Sequence, residues 1–274
     1  MNFHSDEYIM DCVREHYNEA LEYFPEDRIV CIVLQGSQNY GLGTPNSDID
    51  TKLIVTPTFK DLVFNRKPYS TTHIRYNNEH IDFKDVRLYL ETFRKQNLNF
   101  LEILYSPYSI VNPKYKSMWN VLIANRESIT HYNPLRAVKS MKGIAMEKYH
   151  AMERRYPSKI EVLDKYSYDP KQLHHLLRVE DYLERYIAGE DYKSCLSPTS
   201  PEYLVDVKQG KYNLSEARLV ADGSMERITK MCDEFYATHE DKADIEVDNV
   251  LDGIQYQIMH EALYGGAYEK NNVE

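Results

Sequence analysis

At 274 residues, with a formal charge of −10 and 42% apolar side chains, the chain is long enough for one large domain or two small ones around a substantial core. Its longest apolar runs, such as Ile29–Leu34, are too short to span a bilayer, and the acidic N-terminus has no apolar signal core, so a cytoplasmic protein with no membrane association is expected. Four scattered cysteines without a CxxC pair argue against a disulfide framework or a zinc site, and the acidity argues against a chain that coats nucleic acid uniformly.

Ser5 is placed to cap a first helix, along which Tyr8, Ile9, Cys12, Val13, His16, Tyr17, Ala20, Leu21 and Phe24 recur at helical spacing before Pro25 stops it. Arg28–Gln35 is a β-branched run that reads as a strand buried on both faces. Gly36, Gly41 and Gly43 then open a loop, and a second strand is predicted over Ser47–Val55. Thr72–Tyr76 and Glu79–Lys84 read as two strands joined at Asn77-Asn78, and Asp85 can cap a helix reaching about Gln96. Beyond Pro113 the pattern turns helical, over 114–124, 134–155, 170–188, 214–237 and 246–264, while 191–212 reads as an ordered loop or small hairpin. The fold class is therefore α/β (α+β). A small mixed-sheet domain, 1–110, is followed by an all-helical domain, 111–274, expected to face it across a cleft.

The chemistry is concentrated after the first strand. Gln35-Gly36-Ser37 is followed, after ten intervening residues, by Asp48-Ile49-Asp50. On a strand, residues two apart share a face, so both carboxylates point one way while Ile49 enters the core. Carboxylates aimed at one point repel unless a cation sits between them, and Mg²⁺, a hard ion, suits them together with substrate phosphates. Gly36 lets a triphosphate approach the backbone, Ser37 adds a hydroxyl and an N–H, and Asp82, alternating out of the later strand, is the natural third carboxylate. Three carboxylates suit a two-metal clamp on in-line displacement at phosphorus, with Mg²⁺, or Mn²⁺ in its place, held by Asp48, Asp50 and Asp82.

These residues resemble the defining pattern of the polymerase β nucleotidyltransferase superfamily. The longer run from Gly36 to Asp50 is similar to a bacterial and phage branch of nucleotidyltransferases, some of whose members are linked to RNA repair. That branch carries a second motif, Asp-x-Lys-x-x-x-His-x-x-Arg, matched here by Asp169, Lys171, His175 and Arg178, and Leu101–Tyr105 resembles another of its segments. The chain departs from it at Gln38-Asn39, where His and Ala are usual, and at Lys52-Leu53, where Arg-Gly is usual. Lys52 keeps a positive charge for nucleotide binding without the bidentate grip of Arg. The resemblance implies a two-domain fold and transfer of a nucleoside monophosphate from an NTP.

Independently of any family, Lys171, His175 and Arg178 lie at i, i+4 and i+7 on one helical stripe, which an NTP's phosphates would satisfy, His175 bonding most strongly when charged. His174 reads as a packing or surface histidine. Between 133 and 159, Arg136, Lys139, Lys142, Lys148, His150, Arg154, Arg155 and Lys159 face only Glu147 and Glu153, a basic stretch suited to an RNA or tRNA acceptor. Arg126 and His131 form an Arg-x₄-His pattern like that of a helical ribonuclease family, in a stretch that reads as loop. The acceptor alternatives are a small molecule or a protein side chain, and a module that binds nucleotide without catalysis is the remaining class.

Overall fold

The computed structural model describes residues 4–45 and 47–270, with side chains through Tyr264; Asn46, in the glycine-rich loop, lies outside the described residues. The strands are β1 (Ile29–Gln35), β2 (Asp50–Val55), β3 (Ser70–Ile74), β4 (His80–Asp85) and β5 (Ser109–Val111). The helices are α1 (Asp6–Ala20), α2 (Phe59–Val63), α3 (Val86–Arg94), α4 (Leu98–Leu101), α5 (Lys116–Ala124), α6 (Arg126–Thr130) and α7 (Pro134–Ala151). They continue with α8 (Ile160–Tyr166), α9 (Pro170–Ile187), α10 (Tyr192–Leu196), α11 (Pro201–Lys208), α12 (Leu214–Thr238) and α13 (Ile245–Lys270).

The five strands form one mixed sheet in the order β3-β4-β2-β1-β5. β2 and β4 run parallel, with Lys52 opposite Asp82, and the other pairs are antiparallel. The β-branched run of β1 is buried through Leu34, as a strand with both faces covered requires. One sheet face meets α1: Ile9, Val13, Ala20 and Phe24 pack with Ile32, Leu34, Leu53, Val55, Ile81 and Phe83. Alternation then sends Asp50, Lys52, Asp82 and Lys84 to the opposite face. Ser5 caps α1 by accepting the Tyr8 N–H at 3.2 Å, and Asp85 caps α3 by accepting the Arg87 N–H at 2.9 Å. Asn78 takes the left-handed conformation, φ +67°, in the turn between β3 and β4.

Several expectations are corrected. β2 begins at Asp50 rather than Ser47, because Thr44–Ser47 closes its own turn through the Ser47 N–H to the Thr44 carbonyl at 2.9 Å. β5, α2 and α6 had no periodic signal of useful length. The expected helix 134–155 ends at Ala151, and α8 follows it. Residues 191–212 hold the short helices α10 and α11 rather than a hairpin, and the Arg126 pattern sits on a helix, not a loop.

Two compact units emerge, and they divide the chain differently from 1–110 and 111–274. The first comprises residues 1–39, 43–132 and 243–274, the second 40–42 and 133–242. The first unit takes back the C-terminal helix because α13 buries Val247, Leu251, Ile254 and Ile258, and Asp248 accepts from Arg94 Nε at 2.6 Å. In the second, α9 packs against α7, α11 and α12 through Leu173, Leu176, Tyr182 and Leu183, all buried. Among the described residues no helix is long and apolar enough to cross a membrane.

Because Leu251 is fully buried, Leu251→Ala is expected to cost about 2–5 kcal/mol, as large-to-small core changes do. Denaturant unfolding followed by a probe on the sheet checks it; a sheet transition that does not move would separate α13 from the first unit.

Candidate active site

β1 ends in a turn that its own sequence shapes. Gly36 has φ +91°, a backbone state costly for any residue with a Cβ, and a Cβ built there would meet nothing within 4 Å, so there is room beside the backbone for a ligand. Its N–H donates to the Glu102 carboxylate at 3.1 Å, while the Asn39 side-chain amide donates to the Leu34 carbonyl at 3.0 Å. Ser37 begins the single 3₁₀ turn Ser37–Tyr40 that follows. Glu102, an acid in an otherwise apolar Leu101–Leu104 run and buried, is a site residue that sequence reasoning did not assign. The signal was there: a buried carboxylate needs a donor.

Asp48 precedes β2 and is exposed, Ile49 is buried, and Asp50 is half-buried at the strand's first position. No ladder holds Asp48-Ile49, so this segment needs another brace, and the β3–β4 turn supplies it. Glu79 Oε1 accepts the Ile49 N–H at 3.3 Å, and the neighbouring His80 N–H donates to Asp50 Oδ1 at 2.8 Å. Glu79 is held in turn by Arg75 Nη1 at 2.8 Å and by the fully buried His16, whose Nε2 lies 3.0 Å from Glu79 Oε2 and whose Nδ1 lies 2.9 Å from Thr51 Oγ1. Burial alone would raise the Glu79 carboxyl, but His16, Asn77 and Arg75 outweigh it and hold the group at about 2. This brace was also missed: His16 reads as one more residue on the apolar stripe of α1.

Asp82 sits beside Asp50 on the same face of the sheet, and its partners are local. Lys52 Nζ lies 3.1 Å from Asp82 Oδ2, and Thr72 Oγ1 donates to Oδ1 at 3.3 Å. Lys52 and Lys84, both buried, each place their ammonium 4.1 Å from the centre of the Phe100 ring. The ammonium expected to meet nucleotide therefore neutralises Asp82. Among the described residues no three His, Cys, Asp or Glu side chains gather to hold a metal ion. Asp48, exposed just before β2, and Asp50, half-buried at its first position, offer hard oxygen donors of the kind that Mg²⁺ takes together with waters and phosphate oxygens. Asp82 could join such a site only by exchanging its bond with Lys52.

Within the second unit, Asp169 caps α9 by accepting the Lys171 N–H at 2.9 Å and pairs with Lys159 at 3.1 Å, so the first residue of that motif is structural. Lys171 is exposed, His175 half-buried, and Arg178 buried with its guanidinium 3.7 Å from the centre of the Tyr40 ring. Tyr40, three residues after Ser37 in sequence, belongs to the same unit as that helix. Burial, with His174, Arg178 and Lys171 adding to it, pushes the His175 imidazole well below its ordinary value. His174 is a packing residue: it is buried, its Nδ1 lies 2.8 Å from the Leu204 carbonyl, and burial pushes it down to about 4.

Four of the eight basic residues in the stretch are paired with acids. Arg136 pairs with Asp241 at 3.0 Å, Lys142 with Asp233 at 3.0 Å, Lys148 with Glu147 at 2.8 Å and Lys159 with Asp169 at 3.1 Å. Arg126 lies over the Tyr105 ring, 4.7 Å from its centre, and His131 Nδ1 is 2.9 Å from the Glu127 carbonyl, so the Arg-x₄-His pair makes local packing contacts. A cavity of about 260 Å³ beside α9 is lined by Glu180, Asp181 and Glu184 together with Arg227, which pairs with Glu180.

Glu79→Gln is expected to loosen the Ile49 brace and cost about 1.5–3 kcal/mol, the worth of a hydrogen bond to a charged group. A carboxyl lowered from 4.5 to about 2 contributes stability that is present above about 4.5 and lost as pH falls toward about 2. The stability difference between wild type and Glu79→Gln should therefore shrink in acid unfolding across that window, and a constant difference would disprove the assignment.

The comparisons bear on this geometry. No curated protein matches the chain. A crystal structure of a nucleotidyltransferase-like protein from Exiguobacterium sibiricum 255-15 is 13% identical, with 95% of this chain and 80% of that one covered at a TM-score of 0.28. The family described as RlaP, RNA repair pathway DNA polymerase beta family, matches residues 13–180, which include β1 to β5, Gly36-Ser37, the three carboxylates and the motif of α9. With more than half its length in that match, the chain belongs to the RNA repair pathway DNA polymerase beta family, whose members are nucleotidyltransferases.

Proposed function

We propose that the protein transfers a nucleoside monophosphate from an NTP to an acceptor hydroxyl, releasing pyrophosphate, and that the acceptor is an RNA end, such as that of a tRNA. One observation carries the reading: Asp50 and Asp82 stand on neighbouring parallel strands, on one face, beside the Gly36-Ser37 turn. The acceptor oxygen attacks the α-phosphorus, the bond to the β-phosphate oxygen breaks, and pyrophosphate leaves. Mg²⁺ held by Asp48 and Asp50, with a second ion shared with Asp82 and Mn²⁺ as a substitute, would neutralise the phosphates and acidify the acceptor hydroxyl. Asp82 orients that hydroxyl and takes its proton once Lys52 has released it. Ser37 offers its hydroxyl and N–H to the terminal phosphates, and Glu102 holds the turn in shape. Lys171 contributes positive charge to the nucleotide, and Arg178 steadies the loop through Tyr40.

The second reading, nucleotidylation of a small molecule or protein side chain, is favoured by the acidity of the chain and by the pairing of the 133–159 cations. Incubation with labelled NTPs, Mg²⁺ and total RNA separates the two by which product is labelled; label in neither would leave only nucleotide binding.

Asp48→Asn and Asp50→Asn should each lower turnover at least ~100-fold with the fold intact, because metal binding depends on both charges. Asp82→Asn should lower kcat far more than NTP affinity. Single-turnover kinetics beside nucleotide titration test both, and a near-wild-type rate for Asp50→Asn would end the proposal. Lys171→Ala and Arg178→Ala should weaken NTP binding by about 1–3 kcal/mol, equally for all four bases. Unchanged NTP affinity with weakened acceptor binding would reassign that helix.

A further inference from the structure

An RNA acceptor needs a surface, and the stretch that sequence alone pointed to has matched much of its charge with acids. The first unit carries a different surface. After β2 the chain turns through Thr58, whose side chain closes a capping box with Asp61, into the single-turn helix α2. There the structure leaves rings in water: Phe59 is 64% exposed and Phe64 63%. Residues 63–67 are all exposed, Asn65 turns the chain at φ +46°, and Tyr69 is 44% exposed with one edge against Phe24.

Exposed rings of this size in one short segment call for an explanation, and the charges between them give it. Lys60, Arg66 and Lys67 stand among the rings with Asp61 as the only acid, a net +2 over Phe59–Tyr69 in a chain of net −10. Asp61 is engaged by Thr58 and lies 3.3 Å from Arg66, whose guanidinium is 5.9 Å from the centre of the Phe64 ring. Among the described residues no acid pairs with Lys60 or Lys67. A face made to dock on another protein's core would keep the rings and lose the cations. Rings interleaved with cations match single-stranded nucleic acid, whose bases stack on aromatic faces while its phosphates take the ammonium groups.

We infer that Phe59, Lys60, Phe64 and Lys67 form a binding surface for a single-stranded RNA segment, the portion of the acceptor strand away from its reacting end. This rests on the reading of the acceptor as RNA and deepens it. β2 fixes the geometry: Asp50 opens the strand and α2 follows its other end, about 17 Å away along the strand. The surface therefore holds nucleotides removed from the reacting hydroxyl, is indifferent to base identity, and is out of reach of a dinucleotide.

The test uses the full chain and a 5′-fluorescein single-stranded oligoribonucleotide of mixed sequence, about 12 nucleotides long, read by anisotropy without NTP. Phe59→Ala/Phe64→Ala should weaken binding at least ~10-fold, the loss of two stacking partners. Lys60→Gln/Lys67→Gln should lower the slope of log K against log salt by about 1.4, or ~0.7 for each phosphate contact. Both positions are exposed, so thermal unfolding should match wild type, and NTP affinity should be unchanged. If RNA affinity and salt slope stay the same in both variants, the inference is overturned; so too if the phenylalanine changes instead break up a dimer seen in sedimentation. Weakened RNA binding in a protein that transfers nucleotide only to small acceptors would leave the surface standing and end the RNA-acceptor reading. Normal transfer to RNA with unchanged affinity would do the reverse.

Discussion

The parallel pairing of β2 with β4 sets most of what the site can do. A parallel ladder places Lys52 beside Asp82 and leaves Asp50 one step toward the start of the strand, so three charged side chains reach the same face within two residues of one another. That face cannot be apolar, and the opposite one must be, because α1 covers it. Everything around the site can be read as a response to this placement. Phe100 lies against two lysines, Thr72 and Lys52 satisfy Asp82, and the β3–β4 turn reaches across to pin Asp50 and Ile49.

Charge around the strand ends of the sheet is compensated locally. A carboxylate buried beside a strand end is tolerable when hydrogen bonds and cations surround it, and Glu79 has both. Asp82 has Lys52, and Arg136 and Lys142 of α7 have acids on α12 and just beyond it. The α2 segment does not follow this pattern, and it also leaves aromatic rings exposed.

The Gly-Ser turn was legible from the sequence because it follows a continuous β-branched run, whereas the strand expected to carry both Asp48 and Asp50 begins only at Asp50. The sheet's long strands and the caps at Ser5 and Asp85 were legible for the same local reasons. What was hidden depends on distance along the chain. His16 touches Thr51 and Glu79, 35 and 63 residues away, and nothing in an apolar stripe tells a polar bridge from a filler. Glu102 reaches Gly36 across 66 residues. The unit boundaries were hidden too, since α13 carries no mark that its apolar side belongs with α3 and α5 rather than with the helices before it. Arg136 and Lys142 looked available for a ligand because their acids lie 105 and 91 residues downstream.

The return of α13 to the first unit also fixes an order of events during synthesis. Every residue of the helical unit, 40–42 and 133–242, leaves the ribosome before Ile245, so that unit can finish folding while the sheet still lacks its last helix. Until α13 arrives, the surfaces of α3 and α5 that it covers stay wet, and Arg94 waits for Asp248. The inserted module can thus be complete while the sheet unit is not, and a chain stalled short of α13 carries Asp48, Asp50 and Asp82 on a unit that still lacks that helix.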